Sequence, residues 1–320
     1  AELHSYGWMM RGMHLRRPRG ADLRGTLLAT VLACAGPTLA APAAAQDVQV
    51  PRLAVSIVID QLRPDLLDRY DEAFTGGLRR LRDQGFRYTL ASHAHARTST
   101  APGHATLTTG VFPARHGVVA NTWFQRQGFR YENMYAVADP DSPILGFEDE
   151  PLLEGRSPAT LLRSGLPDWL GRSNPDARRV SISRKDRAAI PRGGQYTEHV
   201  YWILPELGRF VTSTHYMKRY PRWLERFNEE VMPPIMSPGI WESEVPERFR
   251  DLARADSSDV EGDGVHSTFP HLAVNEMPDT TLMDRYVWGS DQPRTDEAVV
   301  ALASTVLDEL ELGQRDELDY

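Results

Sequence analysis

The run LAVSIVID at residues 53–60 constrains the fold more than any other feature, because it is short, nearly all apolar, rich in β-branched side chains, and closes on a carboxylate. That pattern predicts a strand buried on both faces, as in a parallel sheet. Asp60 then sits at the strand's carboxyl end, the edge at which open α/β sheets bind ligands. Pro64 and Asp65 open a helical stretch, GGLRRLRDQG carries a second with Gly85 as its stop, and FRYTLASHA reads as the next strand. This β, α, β alternation predicts an α/β fold: a three-layer α/β/α sandwich with a mostly parallel central sheet.

Further along, PATLLRSGLPDWLG reads as a helix, RRVSIS at 178–183 as a strand, and RKDRAAIPRGG as the loop after it. From about Thr197 to Ser290, prolines, tryptophans and tyrosines are frequent and periodicity is poor. This segment is expected to be an inserted accessory or cap-like region, with HVYWI and Trp223 serving packing. Residues 295–312 restore an amphipathic helix, with Thr295 as N-cap, Asp296 and Glu297 in the first turn, and Gly313 after its end. The expected division is therefore 1–45 upstream residues and leader, 46–196 first part of the main domain, 197–290 accessory region, and 291–320 return to the core. The closing DELDY leads toward another buried strand, so the domain is expected to be cut short at Tyr320.

Residues 1–45 do not read as part of the fold. Arg16, Arg17, Arg19 and Arg24 precede the apolar TLLATVLACAG, and APAAAQ supplies an A-x-A cleavage site, the layout of a secretory signal peptide. The residues before Met13 read as lying upstream of the start. Cys34 in VLAC offers an alternative as a lipid-bearing residue, disfavoured by the bulky Leu32 and by the A-x-A site just downstream. Cleavage after Ala45 removes the chain's one cysteine. Disulfides and cysteine-held metals are then excluded, and any metal must be held by carboxylates, histidines or hydroxyls.

The chain holds 36 basic and 44 acidic residues, of which five arginines and two acids lie in 1–45; 31 and 42 remain, a formal charge of −11. That balance argues against nucleic acid or an anionic membrane as a partner. No later stretch reaches the ~18 apolar residues of a membrane span, so no stable span is expected and the location is expected to be periplasmic or secreted. The sequence carries no signal for an oligomeric state.

HARTSTAPGHATLTTG, at 95–110, sets Thr100 directly before Ala101-Pro102, and proline favours a helix's first turn. Thr100 is thus expected as an N-cap. A hydroxyl there meets the positive end of the helix dipole and free backbone N–H groups, which favour an alkoxide and can cradle a phosphoryl oxygen. Threonine is equally a common structural cap, and spacing alone does not choose. The charge run RKDR, usually a solvated loop, here follows a strand at the ligand edge.

VIDQLRPD, TSTAPGHATLTTGVFPARHGVVANTWF and SISRKDRAAI together resemble the alkaline phosphatase superfamily, and more narrowly the bacterial phosphate-irrepressible alkaline phosphatases, relatives of the nucleotide pyrophosphatase/phosphodiesterases. The resemblance runs from Leu53 to the end. It implies that Asp60 binds a metal ion, that Thr100 attacks phosphorus and touches that metal, and that the Asn121 amide donates to a phosphoryl oxygen. Lys185 and Arg187 match the pair that clamps the phosphoryl group in the monoesterase branch. A monoester presents one more negative oxygen than a diester, and a lysine with an arginine neutralises and orients it.

The resemblance also implies two zinc ions, whose remaining ligands belong to an Asp-x-x-x-His, an Asp-His pair and a further histidine that this sequence does not contain. His104 and His116 are accordingly read as structural, His93 and His95 as strand or loop residues, and His199, His215, His266 and His271 as too scattered to form a site. The expected function is a secreted zinc-dependent phosphomonoesterase acting on small-molecule phosphate esters through a phosphothreonine, with this stretch by itself inactive. A phosphodiesterase or nucleotide pyrophosphatase is the nearest alternative, and a non-catalytic phosphate-ester binding protein the alternative from another class. A sulfatase is disfavoured for want of its Cys-x-Pro-x-Arg-like motif.

Overall fold

A computed structural model describes residues 51–320 apart from 128, 151, 238, 258–265 and 273–280. The expected signal peptide and Cys34 lie outside the described residues. In chain order the elements are α1 (Pro64–Arg69), α2 (Gly77–Gln84), α3 (Thr100–Thr109), α4 (Pro113–His116), β1 (Thr122–Gln127), β2 (Arg130–Tyr135), α5 (Leu166–Ser173), β3 (Val180–Ser183) and α6 (Asp186–Gly193). There follow β4 (His199–Leu204), β5 (Arg209–Val211), α7 (Arg222–Glu230), α8 (Met232–Met236), β6 (Ile240–Trp241), β7 (His271–Leu272), α9 (Leu282–Ser290) and α10 (Arg294–Glu309).

The architecture is organised by β4, which pairs in parallel with β3 and antiparallel with β5, in the order β3-β4-β5. Successive strand side chains point to opposite faces. Val200 and Trp202 enter one apolar cluster with Ala101 and Ala105 of α3 and Ala189 and Ile190 of α6. Tyr201 and Ile203 enter a second with Leu224 and Phe227 of α7, Met232 and Met236 of α8, and Ala298, Leu302 and Val306 of α10. The sheet is thus covered on both faces, giving the three layers of an α/β fold. Trp223 and the aromatic residues of β4 are buried packing residues, and β4 belongs to the same sheet as β3.

Several elements differ from the sequence expectation, each for a local reason. At 53–60 only Leu53 bridges Asp319, and the Ala54 N–H donates to Asp319 O at 2.9 Å. Val55, Ile57 and Ile59 are then exposed, because no described strand lies beside them to complete a ladder. A cavity of about 410 Å³ opens between this run, β3 and α10. FRYTLASHA is likewise not a strand; Phe86, Tyr88 and Leu90 are exposed.

The helix expected over 158–171 begins only at Leu166, because the preceding backbone is engaged elsewhere: the Leu162 N–H donates to His116 O at 2.9 Å, and Leu161 O accepts from Gln195 Nε2 at 2.7 Å. RKDRAAIPRGG is not a loop but contains α6, whose Ala188, Ala189 and Ile190 are buried. The C-terminal helix runs from Arg294 to Glu309 with Pro293 at its N-cap, so Thr295 lies inside its first turn and donates to Gln292 O at 2.8 Å. The β1–β2 hairpin was not read from the sequence. Its signal was two aromatic-rich runs flanking Gly128.

Candidate active site

The site forms where α3 and α6 begin. Ser99, not Thr100, is the N-cap of α3, and its side chain makes no capping bond; Thr100 is the first helical residue. The expectation of Thr100 as cap is off by one position, because Pro102 sits third in the helix rather than second, and either place is compatible with proline's fixed φ and missing N–H. The helix ends at Gly110, whose φ of 67° gives the left-handed closure that glycine accommodates without strain.

Thr100 is buried, and its hydroxyl donates to Asp60 Oδ2 at 2.8 Å across 40 residues of sequence. Asp60 is followed by Gln61 at φ 60°, an uncommon conformation for a residue with a side chain and the kind of backbone strain that collects at functional sites. Asn121 Oδ1 accepts the Ala101 backbone N–H at 2.8 Å. That bond ties the start of β1 to the first turn of α3 and leaves the amide nitrogen of Asn121 as its free donor end. Ser99 Oγ, at the N-cap of α3, is buried with no partner.

The second half of the site comes from the β3–α6 turn. Lys185 is the N-cap of α6, and Arg187 lies in its first turn. The ammonium of Lys185 is held below the ordinary lysine range, first by burial and then by the charges of Arg187 and Arg184, with Asp60 and Asp291 acting in the opposite sense. Lys185, Arg187 and Asp60 therefore share one electrostatic neighbourhood. Arg187 Nη1 donates to the Tyr135 hydroxyl at 3.2 Å, and its Nε is buried with no partner. All five residues singled out by sequence thus fall on the two adjoining helix starts or in reach of them.

The histidines are structural where they are buried. His104 Nδ1 donates to Thr100 O at 2.7 Å within α3, and burial lowers its pKa. His116 Nδ1 accepts the Val118 N–H at 3.2 Å, so its proton sits on Nε2, which donates to Thr106 Oγ1 at 3.1 Å. His93 and His95 meet edge-on at 5.2 Å in an irregular segment. His199 contacts the Tyr201 hydroxyl, His215 meets Tyr216 edge to face, and His266 and His271 lie ring to ring.

Asp60 and Thr100 offer two oxygen donors to a metal, but among the described residues no group of three or more His, Cys, Asp or Glu side chains could hold one. The described residues therefore do not by themselves fit a zinc ion. Sequence reasoning missed three residues that meet at Arg187: Tyr135, Arg156 and Asp186. Asp186 stood inside the RKDR run, whereas nothing local marked the other two.

The Thr100 hydroxyl on Asp60, with Lys185 and Arg187 at the start of the adjoining helix, stands in a layered α/β fold. The family model for type I phosphodiesterase / nucleotide pyrophosphatase matches residues 54–293, and the chain belongs to that family, within the alkaline phosphatase superfamily. It is 31% identical over 280 residues to the alkaline phosphatase PhoV of Synechococcus elongatus, covering 86% of this chain and 49% of that protein. It is 32% identical over 218 residues to a calcium-transporting ATPase of Myroides odoratus, covering 67% of this chain and 39% of that protein. The crystal structure of wild-type alkaline phosphatase PafA superposes with a TM-score of 0.74 at 27% identity, over 84% of this chain and 51% of that one. The chain spans about half the length, or less, of these relatives. Among the described residues no helix is long and apolar enough to cross a membrane.

Proposed function

We propose that this chain carries the nucleophile and phosphate clamp of a secreted, metal-dependent phosphomonoesterase that works through a phosphothreonine. The observation that carries the reading is the Thr100 hydroxyl donating to Asp60 at the start of a helix that adjoins Lys185 and Arg187. Thr100 Oγ1 would attack phosphorus in line; the Oγ1–P bond forms as the bond to the ester oxygen breaks, and water later releases phosphate and restores the hydroxyl. Lys185, Arg187 and the free amide end of Asn121 would hold the phosphoryl oxygens through both steps. Two zinc ions, as the resemblance implies, would supply Lewis-acid charge, with Asp60 and Thr100 as donors joined by others. The expected signal peptide supports export to the periplasm or beyond.

In the full-length protein, Thr100→Ala should abolish turnover of p-nitrophenyl phosphate and the labelling of a phosphothreonine peptide by substrate. Retained turnover would remove Thr100 as nucleophile. The family's name keeps a diesterase or pyrophosphatase as the second reading. A preference for bis-p-nitrophenyl phosphate or for ATP over the monoester would establish it instead.

A further inference from the structure

Arg187 is anchored from behind by a chain of contacts. Its Nη1 donates to the Tyr135 hydroxyl at 3.2 Å, and that hydroxyl donates onward to Asp186 Oδ1 at 2.6 Å. Asp186 Oδ2 accepts from Arg156 Nε at 2.7 Å, and the Arg156 guanidinium carbon lies 4.9 Å from the centre of the Tyr135 ring. Arg156 is fixed in turn: its Nη1 donates to Glu154 Oε2 at 3.0 Å, and its carbonyl accepts from Ser213 Oγ at 2.6 Å. The side chains of Arg156 and Asp186 are 19% and 14% exposed, so this pair is shielded from water in a way that surface pairs are not.

We propose that Tyr135, held by the Asp186–Arg156 ion pair, is a positioning residue that fixes the guanidinium of Arg187 and thereby sets the preference for phosphate monoesters over diesters. The inference rests on the phosphomonoesterase reading above. Three physical points support it. First, the negative charge of Asp186 is met by Arg156, and a neutral hydroxyl separates it from Arg187 Nη1, so the charge of Arg187 is left for the substrate. Second, Tyr135 occupies one end of the guanidinium while Nε stays buried and unpartnered, a donor oriented by its neighbours and awaiting an acceptor. Third, burial and then Asp186 push the Tyr135 phenol above its ordinary range, so it remains a protonated donor to Asp186 throughout the working pH range.

The test uses the full-length, metal-loaded protein with p-nitrophenyl phosphate, bis-p-nitrophenyl phosphate and inorganic phosphate as inhibitor. Tyr135→Phe deletes only the hydroxyl. It should lower kcat/KM for the monoester about tenfold and weaken phosphate inhibition in step, as loss of a hydrogen bond to a charged group does, while the diester changes less than about twofold. Combined with Arg187→Ala it should add nothing to the loss from Arg187→Ala alone. Equal losses on both esters, or additive losses with Arg187→Ala, would overturn the positioning role. If Arg187→Ala itself spares the monoester, the clamp reading fails instead, and the two failures are distinguishable. Arg156→Met serves as a second variant acting on the same chain from its far end; it should shift the monoester-to-diester ratio in the same direction, and an unchanged ratio would count against the proposal.

Discussion

Asn121 Oδ1 accepts the backbone N–H of Ala101 at 2.8 Å. The bond fixes which end of the amide faces the helix and which end is free, and it predicts a separation of stability from activity. Asn121→Asp keeps an acceptor for Ala101 and adds a negative charge at a helix start, so thermal stability should hold. The same variant replaces the free donor with an anion facing a phosphoryl group. Its kcat/KM for p-nitrophenyl phosphate should fall at least about a hundredfold, and more than that of Asn121→Ala. A variant that is active and stable would remove Asn121 from the clamp.

His116 predicts a pH dependence of stability. Burial lowers its pKa to about 4, against about 6.5 in the unfolded chain, and its Nδ1 already accepts the Val118 N–H, which an imidazolium cannot do. Between those two values the unfolded chain binds a proton that the folded chain does not. Stability therefore rises with pH across this window, is fully present above about 6.5, and is lost as the pH falls toward 4. Unfolding free energies from urea titrations at pH 7 and pH 4.5 should differ by about 2 kcal/mol through this group, and His116→Gln should shrink the difference. An unchanged difference in the variant would assign the effect to other groups.

Asp168 predicts a stability loss remote from the chemistry. It is 1% exposed and accepts the backbone N–H groups of Gly165 at 2.7 Å, Gln195 at 2.9 Å and Tyr196 at 2.9 Å. These bonds tie the start of α5 to the turn that follows α6. Asp168→Ala leaves three donors without an acceptor and should cost about 3 kcal/mol in urea unfolding. A loss below about 1 kcal/mol would mean that water takes the place of the carboxylate.

Legibility from sequence followed the range of the signal. Asp60, Thr100 and the Lys185–Arg187 pair stood out as candidates because each lies beside a short apolar run or a proline-marked helix start, and the resemblance, not the spacing, attached roles to them. The α/β layer fold is expected from LAVSIVID and FRYTLASHA, neither of which forms a strand; the strand that organises the layers, HVYWIL of β4, falls in the expected accessory region although it carries apolar residues for both faces. Long-range partners were not readable. Tyr135 reaches Asp186 across 51 residues, and nothing in ENMY distinguishes that tyrosine from Tyr131, which is exposed. The strand expected at 53–60 failed because apolar composition reports a propensity for burial, whereas a ladder also needs a neighbouring strand, and none lies beside 55–59 among the described residues.

Lys185 predicts the alkaline limit of phosphate binding. Burial, then Arg187 and Arg184, hold its pKa below the ordinary lysine value, so the ammonium loses its proton at a lower pH than a surface lysine would. A phosphate dianion is attracted to the charged form. Affinity for inorganic phosphate should therefore fall as the pH rises through that depressed value, and bound phosphate should move the fall to higher pH. Arg184, paired to Asp291 at the edge of the site, is one of the charges that depress Lys185. Removing it in Arg184→Gln relieves part of the repulsion, which should move the alkaline limb of phosphate inhibition upward in pH while Lys185→Met removes the limb and weakens binding at every pH. A limb that stays in place in Arg184→Gln would show that another group, and not Lys185, sets the alkaline limit.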